Sequence, residues 1–408
     1  MIHITEKSQC CGCTACYSVC PKQCISMLSD EEGFLYPEVD IKSCVNCGAC
    51  EKVCPYQSKK DKKQEGTHSI YAGVQYKDEH KRLQSTAGGV FSLLADYILD
   101  KGGIVYAVCY KNMVVCHKAV KDKSKLEDFR GSKYVQSTLH DVFKEVKMAL
   151  HKGSVVLFVG TPCQIQGLKR YIGEDRNLYT IDLLCLGVSS PKLFSNWIDY
   201  LEKKYKDTVT NVQFRNKHYG YSTPNVKVYF KKHRAMDQVY DTRVHANLFF
   251  QHYNVRPSCY ECEFREQPRV SDFTIGDFTD IMKVDKTLDD DKGTTKCWIH
   301  TEKGRMLFDK VCDNARVRVI SNEASNIIGG PKKQMDIPLK RQDFFYDAQQ
   351  MDYLAFVTKW QPKTIKSEIA GMLRPVINCL PFKTILFKKI RMMKAKKYAE
   401  QVKKVNER

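Results

Sequence analysis

The chain of 408 residues has no run of about 18 apolar residues, so its sequence predicts no transmembrane helix. No Gly-x-Gly-x-x-Gly follows any predicted strand, which argues against an ordinary dinucleotide-binding Rossmann unit. The first residues lack the apolar segment of a signal peptide, so we expect a cytoplasmic protein. Acidic residues are outnumbered by basic ones, since the chain has 47 Asp and Glu but 66 Lys and Arg, which gives a net charge of +19.

Cysteine, in contrast, is abundant, with 19 residues. Because disulfides are rare in the cytoplasm, these cysteines first suggest metal ligands. One pattern occurs twice near the start of the chain, as Cys10-x-x-Cys13-x-x-Cys16-x-x-x-Cys20-Pro21 and as Cys44-x-x-Cys47-x-x-Cys50-x-x-x-Cys54-Pro55. This is the spacing of bacterial two-cluster ferredoxins, in which the fourth cysteine of each run ligates the other cluster.

The doubled run therefore predicts two 4Fe–4S clusters, with the ligand sets Cys10, Cys13, Cys16, Cys54 and Cys44, Cys47, Cys50, Cys20. Two zinc sites or a disulfide knot are the alternatives, although zinc favours separated Cys-x-x-Cys pairs over this rhythm. Cys11 and Cys24 are surplus to the pattern, and we expect them to be small buried residues.

The domain organisation follows from a polar stretch after the second run, Gln57–His68, which contains no apolar residue. It predicts a ferredoxin-like domain over 1–57, a linker over 58–68, a second domain over 69–330 and a C-terminal extension over 331–408. Apolar residues recur at helical spacing in that extension, at Phe382, Leu386, Ile390 and Met393. Such a basic amphipathic helix can lie peripherally on an anionic membrane, bind an acidic partner, or pack on its own domain.

The second domain has the alternation of strands and helices that is typical of an α/β fold. Strands are predicted at Ile70–Gln75, Ile104–Tyr110, Val114–Val120, Val155–Val159 and Tyr179–Leu186. Helices are predicted after a Ser85 or Thr86 cap, after Thr161-Pro162, and after Ser190-Pro191. The overall class is therefore α/β, or α+β with the first domain included, with a mostly parallel central sheet. Ligands of such sheets bind at the carboxyl ends of the strands.

A third 4Fe–4S cluster is predicted in this domain, with Cys163, Cys185, Cys259 and Cys262 as ligands. Cys163 and Cys185 follow predicted strands, and Cys259-x-x-Cys262 lies in a polar stretch where core burial is a poor explanation. Taken alone, Cys163 is equally consistent with a small residue packed under a tight turn, and Cys185 with a core residue. The Cys259-x-x-Cys262 pair alone is consistent with a redox-active pair or with half of the ligands of a zinc site. The cysteines without partner spacing default to structural roles: Cys109, Cys116, Cys297, Cys312 and Cys379.

These motifs in this order resemble the beta subunit family of coenzyme F420 hydrogenase/dehydrogenase over roughly residues 1–330. The marks are the doubled cysteine run, Ser85-Thr86-Ala87-Gly88-Gly89, Arg130-Gly131-Ser132-Lys133-Tyr134, Gly160-Thr161-Pro162-Cys163-Gln164, Arg256-Pro257-x-Cys259-x-x-Cys262 and Asp272-x-x-x-Gly276-Asp277. The resemblance implies iron–sulfur clusters and FAD. It implies a flavin site with backbone donors, lined by Ser85, Thr86, Gly88, Gly89, Gly131, Ser132, Lys133, Tyr134, Gly160 and Thr161. Asp277 is a candidate for a ribose contact or a turn cap.

By this resemblance the chain is an oxidoreductase that passes electrons between a one-electron, ferredoxin-like carrier and a two-electron carrier or small organic substrate. The path implied runs from the N-terminal clusters through the third cluster to FAD, in either direction. Coenzyme F420 as the carrier has no support from individual residues. The alternatives are a non-catalytic electron-transfer subunit of a partner enzyme, and a basic iron–sulfur protein that binds nucleic acid. No nucleic-acid recognition module is present in the sequence, so we expect no such partner.

Overall fold

The computed structural model describes residues 1–57, 70–237, 239–266, 269–320 and 335–362. The N-terminal module has a two-stranded antiparallel sheet, β1 (Ile25–Ser29) and β2 (Leu35–Val39), and two short helices, α1 (Ala15–Val19) and α2 (Ala49–Val53). Each helix begins inside one cysteine run, after a residue in left-handed conformation, Thr14 or Gly48. The two runs are therefore built as the same loop-and-helix unit.

The central domain is built on an eight-stranded sheet in the order β13–β3–β12–β11–β7–β6–β4–β5. Its strands are β3 (Ile70–Tyr76), β4 (Ile104–Lys111), β5 (Val114–Val120), β6 (Val156–Val159), β7 (Leu178–Leu183), β11 (Phe273–Asp277), β12 (Thr295–Ile299) and β13 (Ala315–Ile320). The four inner strands β11, β7, β6 and β4 pair in parallel, and the outer strands pair antiparallel. The carboxyl ends of β6, β7 and β11 consequently meet at one edge.

Helices cover the sheet and connect its parallel strands. They are α3 (Glu79–Gln84), α4 (Val90–Asp100), α5 (Val142–His151), α6 (Pro162–Ile172), α7 (Pro191–Tyr205), α8 (Tyr240–Phe250), α9 (Glu302–Asp309), α10 (Arg341–Gln350) and α11 (Tyr353–Trp360). None of the helices in the described ranges is long and apolar enough to cross a bilayer. The helix α6 begins at a capping box, in which the Thr161 and Gln164 side chains bond each other's backbone N–H groups.

A second, three-stranded sheet lies beside the first, with β8 (Val209–Asn216), β9 (Asn225–Phe230) and β10 (Met236–Asp237). An aromatic core joins it to α7 and α8, and includes Phe194, Trp197 and Phe214. The main core lies between α4 and the large sheet, and includes Leu94 and Leu157. The two cores pack the elements from which the loops at the carboxyl edge of the large sheet extend.

The α/β class and the parallel pairing at the centre of the sheet are confirmed, as are the helix starts at Thr161-Pro162 and Ser190-Pro191. The predicted cap of α4 is wrong. Ser85 ends α3, and α4 begins after Gly89, which has a φ of +91°. A left-handed residue replaces the side-chain cap, because the chain must turn sharply between the two helices. The predicted linker over 58–68, Cys379 and the basic amphipathic helix of the C-terminal extension lie outside the described residues.

Candidate functional site

The cysteines of the two N-terminal runs line two separate cavities. One cavity is lined by Cys10, Cys13, Cys16 and Cys54, which we call the first set. The other cavity is lined by Cys20, Cys44, Cys47 and Cys50, the second set. The structure thus brings together the thiols that the sequence groups, with the fourth cysteine of each run crossing to the other run's cavity.

The two sets differ in exposure. Cys47 is exposed and is flanked by Val45 and Asn46, which are exposed as well. In the first set Cys13 is buried against α6, where a Cβ at Gly167 would lie 2.6 Å from the Cys13 Sγ atom. The second set therefore faces solvent, and the first set faces the central domain.

The surplus cysteines are buried, as expected, but each also adjoins a set. The Cys24 Sγ atom lies 3.4 Å from that of Cys20, in the second cavity. The Cys11 thiol interacts with Cys13 on one side and with Cys163 of the central domain on the other. Cys11 therefore lies where the module meets the central domain, which its lack of partner spacing did not indicate.

The four central cysteines gather at the carboxyl edge of the sheet. Cys163 is in the first turn of α6 after β6, and Cys185 follows β7. Cys259 ends a short 3-10 helix, and its Cβ lies 3.4 Å from where a Cβ at Gly187 would be. The thiols of Cys185 and Cys262 each interact electrostatically with Cys163. The sequence-predicted set is thus assembled from three separate segments, one of which supplies both Cys259 and Cys262.

Burial dominates the chemistry of these thiols. It raises the pKa of Cys185 to about 12 and that of Cys262 to about 11, and neighbouring thiols add to both increases. A group of uncompensated thiolates is unfavourable in such a site. Among the described residues no three His, Cys, Asp or Glu side chains converge closely enough to bind a single metal ion.

The two loops predicted to line a flavin site are adjacent. Ser132 donates its N–H to the Thr86 hydroxyl at 2.8 Å, and the two hydroxyls are 2.9 Å apart. The expected backbone donors, however, are largely used within the chain. Gly88 donates to the Thr295 hydroxyl, and Gly160 donates to a β7 carbonyl. This corrects the expected role of those N–H groups, and of Thr161, whose N–H belongs to the capping box.

Lys133 is half-buried and donates to the backbone carbonyls of Asp128 and Arg130. Burial lowers its pKa to about 8. Gly131 is exposed and has a φ of +79°, with nothing within 4 Å of its Cβ direction, so its conformation rather than crowding favours glycine there. These residues form the outer part of the loop that leads to Tyr134.

A polar group that the sequence did not reveal completes this region: Tyr134, Arg215, Tyr221 and Asp277, which we call the Arg215 group. Arg215 Nη1 donates to Asp277 Oδ2 at 2.6 Å and to the Tyr134 hydroxyl at 3.4 Å. The Tyr221 hydroxyl also interacts with the side chains of Asp277 and Arg215. Among the described residues, Arg215 Nε, Asp277 Oδ1 and the Tyr221 hydroxyl are buried without a well-aligned hydrogen bond. Buried polar atoms in such poor geometry are costly, and a ligand or water can supply the missing partner.

Contacts link the Arg215 group to the predicted flavin loops. Lys217 lies under the Tyr221 ring, at 5.7 Å from its centroid, and donates to the carbonyls of Arg82 and Ala87. Ala87 belongs to the Ser85–Gly89 loop, and Tyr134 ends the loop that contains Gly131. Arg215 lies near the end of β8 and Tyr221 in the polar stretch that follows it, and no local signal pointed to either residue.

Asp272, the other carboxylate of the Asp272–Asp277 segment, has a structural role. It is completely buried, and its Oδ2 accepts hydrogen bonds from the N–H and hydroxyl of Thr180. Its Oδ1 accepts from the Thr301 hydroxyl. Asp272 therefore ties β7 to the start of α9, and only Asp277 faces the polar group.

Comparison with known families agrees with this geometry. Residues 153–324 match the family described as the C-terminal region of the beta subunit in coenzyme F420 hydrogenase/dehydrogenase. Residues 9–58, which include both cysteine runs, match the 4Fe–4S dicluster domain. The matched region 153–324 contains all four central cysteines as well as Arg215, Tyr221 and Asp277, and the resemblance inferred from the motifs is confirmed.

No curated protein matches the chain. Among solved structures, one chain from the xenon-derivatized F420-reducing NiFe hydrogenase complex of Methanosarcina barkeri is similar over 73% of this chain and 93% of its own. The identity is 16% and the TM-score is 0.41.

Proposed function

We propose that this protein is an iron–sulfur flavoenzyme that transfers electrons between a one-electron carrier and a two-electron carrier or small organic substrate. The observation that carries the proposal is the row of three cysteine sets. The second set faces solvent, the first set adjoins the central domain, and the central set lies at the edge of the sheet that leads to the Arg215 group.

The donor sets fit 4Fe–4S clusters. The first and second sets each supply four thiols around one cavity, and the crossing of Cys20 and Cys54 matches the two-cluster ferredoxin arrangement. Cys163, Cys185, Cys259 and Cys262 would hold a third cluster. When bound, such clusters carry one electron at a time. Bound iron would supply the positive charge that compensates the negative charge of these closely spaced thiolates.

The Arg215 group fits the polar part of a flavin nucleotide. The group offers a donor from Arg215, an acceptor from Asp277 and the hydroxyl of Tyr221, which suit a ribityl or ribose chain. Lys133 would place positive charge near the pyrophosphate, and Gly89 and Gly131 would border it. When bound, FAD supplies two-electron chemistry and one-electron exchange, while the chain supplies orientation and electrostatics.

The flavin proposal is tested on the full chain after anaerobic purification. Acid release and mass analysis should identify FAD at about one per chain. Tyr221→Phe should weaken FAD binding by about fivefold, because one hydrogen bond is lost. Tyr229→Phe is the matched control, since its hydroxyl bonds Gln213 on β8. Equal affinity in the two variants would contradict the assignment of the Arg215 group.

Turnover separates the enzyme from an electron-transfer subunit. The enzyme proposal predicts that the chain alone reduces a two-electron acceptor from an artificial one-electron donor. Full reduction of bound clusters without any turnover, across a screen of soluble acceptors, would favour the role of a subunit that serves a partner's active site.

A further inference from the structure

One arginine, Arg256, joins the N-terminal module to the central domain from a completely buried position. Its Nε donates to the Cys10 carbonyl at 2.7 Å, and its Nη2 donates to the Leu35 carbonyl at 2.9 Å. Its Nη1 donates to Gln136 Oε1 at 2.9 Å, and its guanidinium lies 4.3 Å from the centroid of the Tyr36 ring. All three nitrogens are therefore used, and two of them hold backbone of the module.

The loop that Arg256 holds is the one between the first two ligands of the first set. Gln136 Nε2 donates to the Cys11 carbonyl at 2.9 Å, so two consecutive carbonyls of this loop are fixed by the central domain. The Cys11 thiol then meets that of Cys163, which belongs to the central set. The shortest connection between the two sets is thus a single residue, Cys11, on a loop held from both sides.

Arg256 contacts the ligand segments of both sets. Its Nε donates to the Cys10 carbonyl, and its own carbonyl accepts a hydrogen bond from the Cys259 N–H at 2.9 Å. One buried positive charge therefore lies between two groups of thiols that become negative when they bind iron.

We propose that Arg256 is a positioning residue that holds the Cys10–Cys13 loop against Cys163 and sets the electrostatic balance between the first and central cysteine sets. This inference rests on the proposed function, because it concerns the junction between two of its cluster sites. The module is then a fixed part of the electron path rather than a tethered shuttle. A planar guanidinium with several donors suits this role, and a lysine would serve only in part.

A second arginine, Arg341, provides a matched control. It is half-buried and bonds the module through a two-pronged ion pair with Glu32 at 2.6 and 2.7 Å, and it also donates to the Tyr260 hydroxyl and the Val255 carbonyl. Glu32 lies in the turn between β1 and β2, away from the cysteine loop. If any arginine that joins the module to the central domain has the same effect, Arg256→Gln and Arg341→Gln should behave alike.

The test compares Arg256→Gln, Arg256→Lys and Arg341→Gln in the holoprotein, by redox titration of the EPR signals and by hydrogen exchange. Arg256→Gln should lower the midpoint potential of the first set, because cluster potentials depend on nearby charge. It should also speed exchange over residues 9–16 by about tenfold or more, as expected for the loss of a charged hydrogen bond. Arg256→Lys keeps the positive charge but not the planar set of donors, so it should retain the wild-type midpoint potential of the first set better than the wild-type exchange protection. Arg341→Gln should change neither the potential nor the exchange over residues 9–16.

Identical effects of the two Gln variants, or none from Arg256→Gln, would overturn the inference. If Arg256→Gln fails to fold, Gln136→Leu tests the same loop, and unchanged exchange over residues 9–16 in that variant would count against it. Absence of cluster signals from the wild-type protein would instead refute the proposed function, and exchange measurements would still report whether Arg256 holds the loop.

Discussion

The close approach of α6 to the first cysteine set can be tested at Gly167. This glycine is in a regular helix, where replacement by alanine ordinarily stabilises by about 1 kcal/mol. Here a Cβ would lie 2.6 Å from the Cys13 Sγ atom and 3.0 Å from the Cys13 Cβ atom, whereas carbon contacts are normally about 3.5–4.0 Å. Cys13 is buried, so its side chain has little room to move away.

Overpacking of this kind costs about 1–3 kcal/mol, which exceeds the gain in helix propensity. We therefore expect Gly167→Ala to lower the free energy of unfolding by about 1 kcal/mol and to displace Cys13. Anaerobically purified Gly167→Ala should lose iron from the first set, and chemical denaturation should record the loss of stability.

Gly173, at the end of the same helix, provides the control. Its φ is +84° and its Cβ direction is open, so Gly173→Ala strains the helix end by a similar amount without reaching the module. It should lower stability and keep the iron. If Gly167→Ala raises stability by about 1 kcal/mol and keeps its full iron content, the packing of α6 against Cys13 is refuted.

Two other predictions follow from buried groups. Cys259→Ser should remove about four irons while the N-terminal sets keep theirs, and an unchanged iron content would contradict the central set. Burial lowers the pKa of His117 and of His245 to about 4, below the usual 6.5, so the unfolded state binds protons more readily and stability is lost as pH falls from about 6.5 towards 4. At pH 5 each histidine should cost about 2 kcal/mol, and His245→Gln should flatten the dependence of melting temperature on pH between 7.5 and 5; an unchanged slope would argue against this account.

Much of the site was predictable because it depends on residues that are close together in the sequence. The spacing of the doubled cysteine run determines which thiols lie together, and Thr161 with Gln164 forms a capping box within four residues. The parallel sheet follows from alternating strands and helices, and it predicts that Cys163 and Cys185 share an edge.

The remainder depends on contacts between distant segments, for which the sequence has no local signal. Arg256 reads as part of a cysteine motif, yet its partner Cys10 is 246 residues away. Cys11 lacks ligand spacing, and only the docked module shows that it touches Cys163. Arg215 lies near the end of β8, and only the folded chain brings it beside Asp277 and Tyr221.

The central claim is that three cysteine sets hold three 4Fe–4S clusters in one chain. Iron and acid-labile sulfide, measured per chain on anaerobically purified protein with EPR after dithionite reduction, test it most directly. The account predicts about twelve irons, about twelve sulfides and interacting S = 1/2 signals. Zinc without labile sulfide would contradict it, and so would about eight irons that remain unchanged in Cys163→Ser.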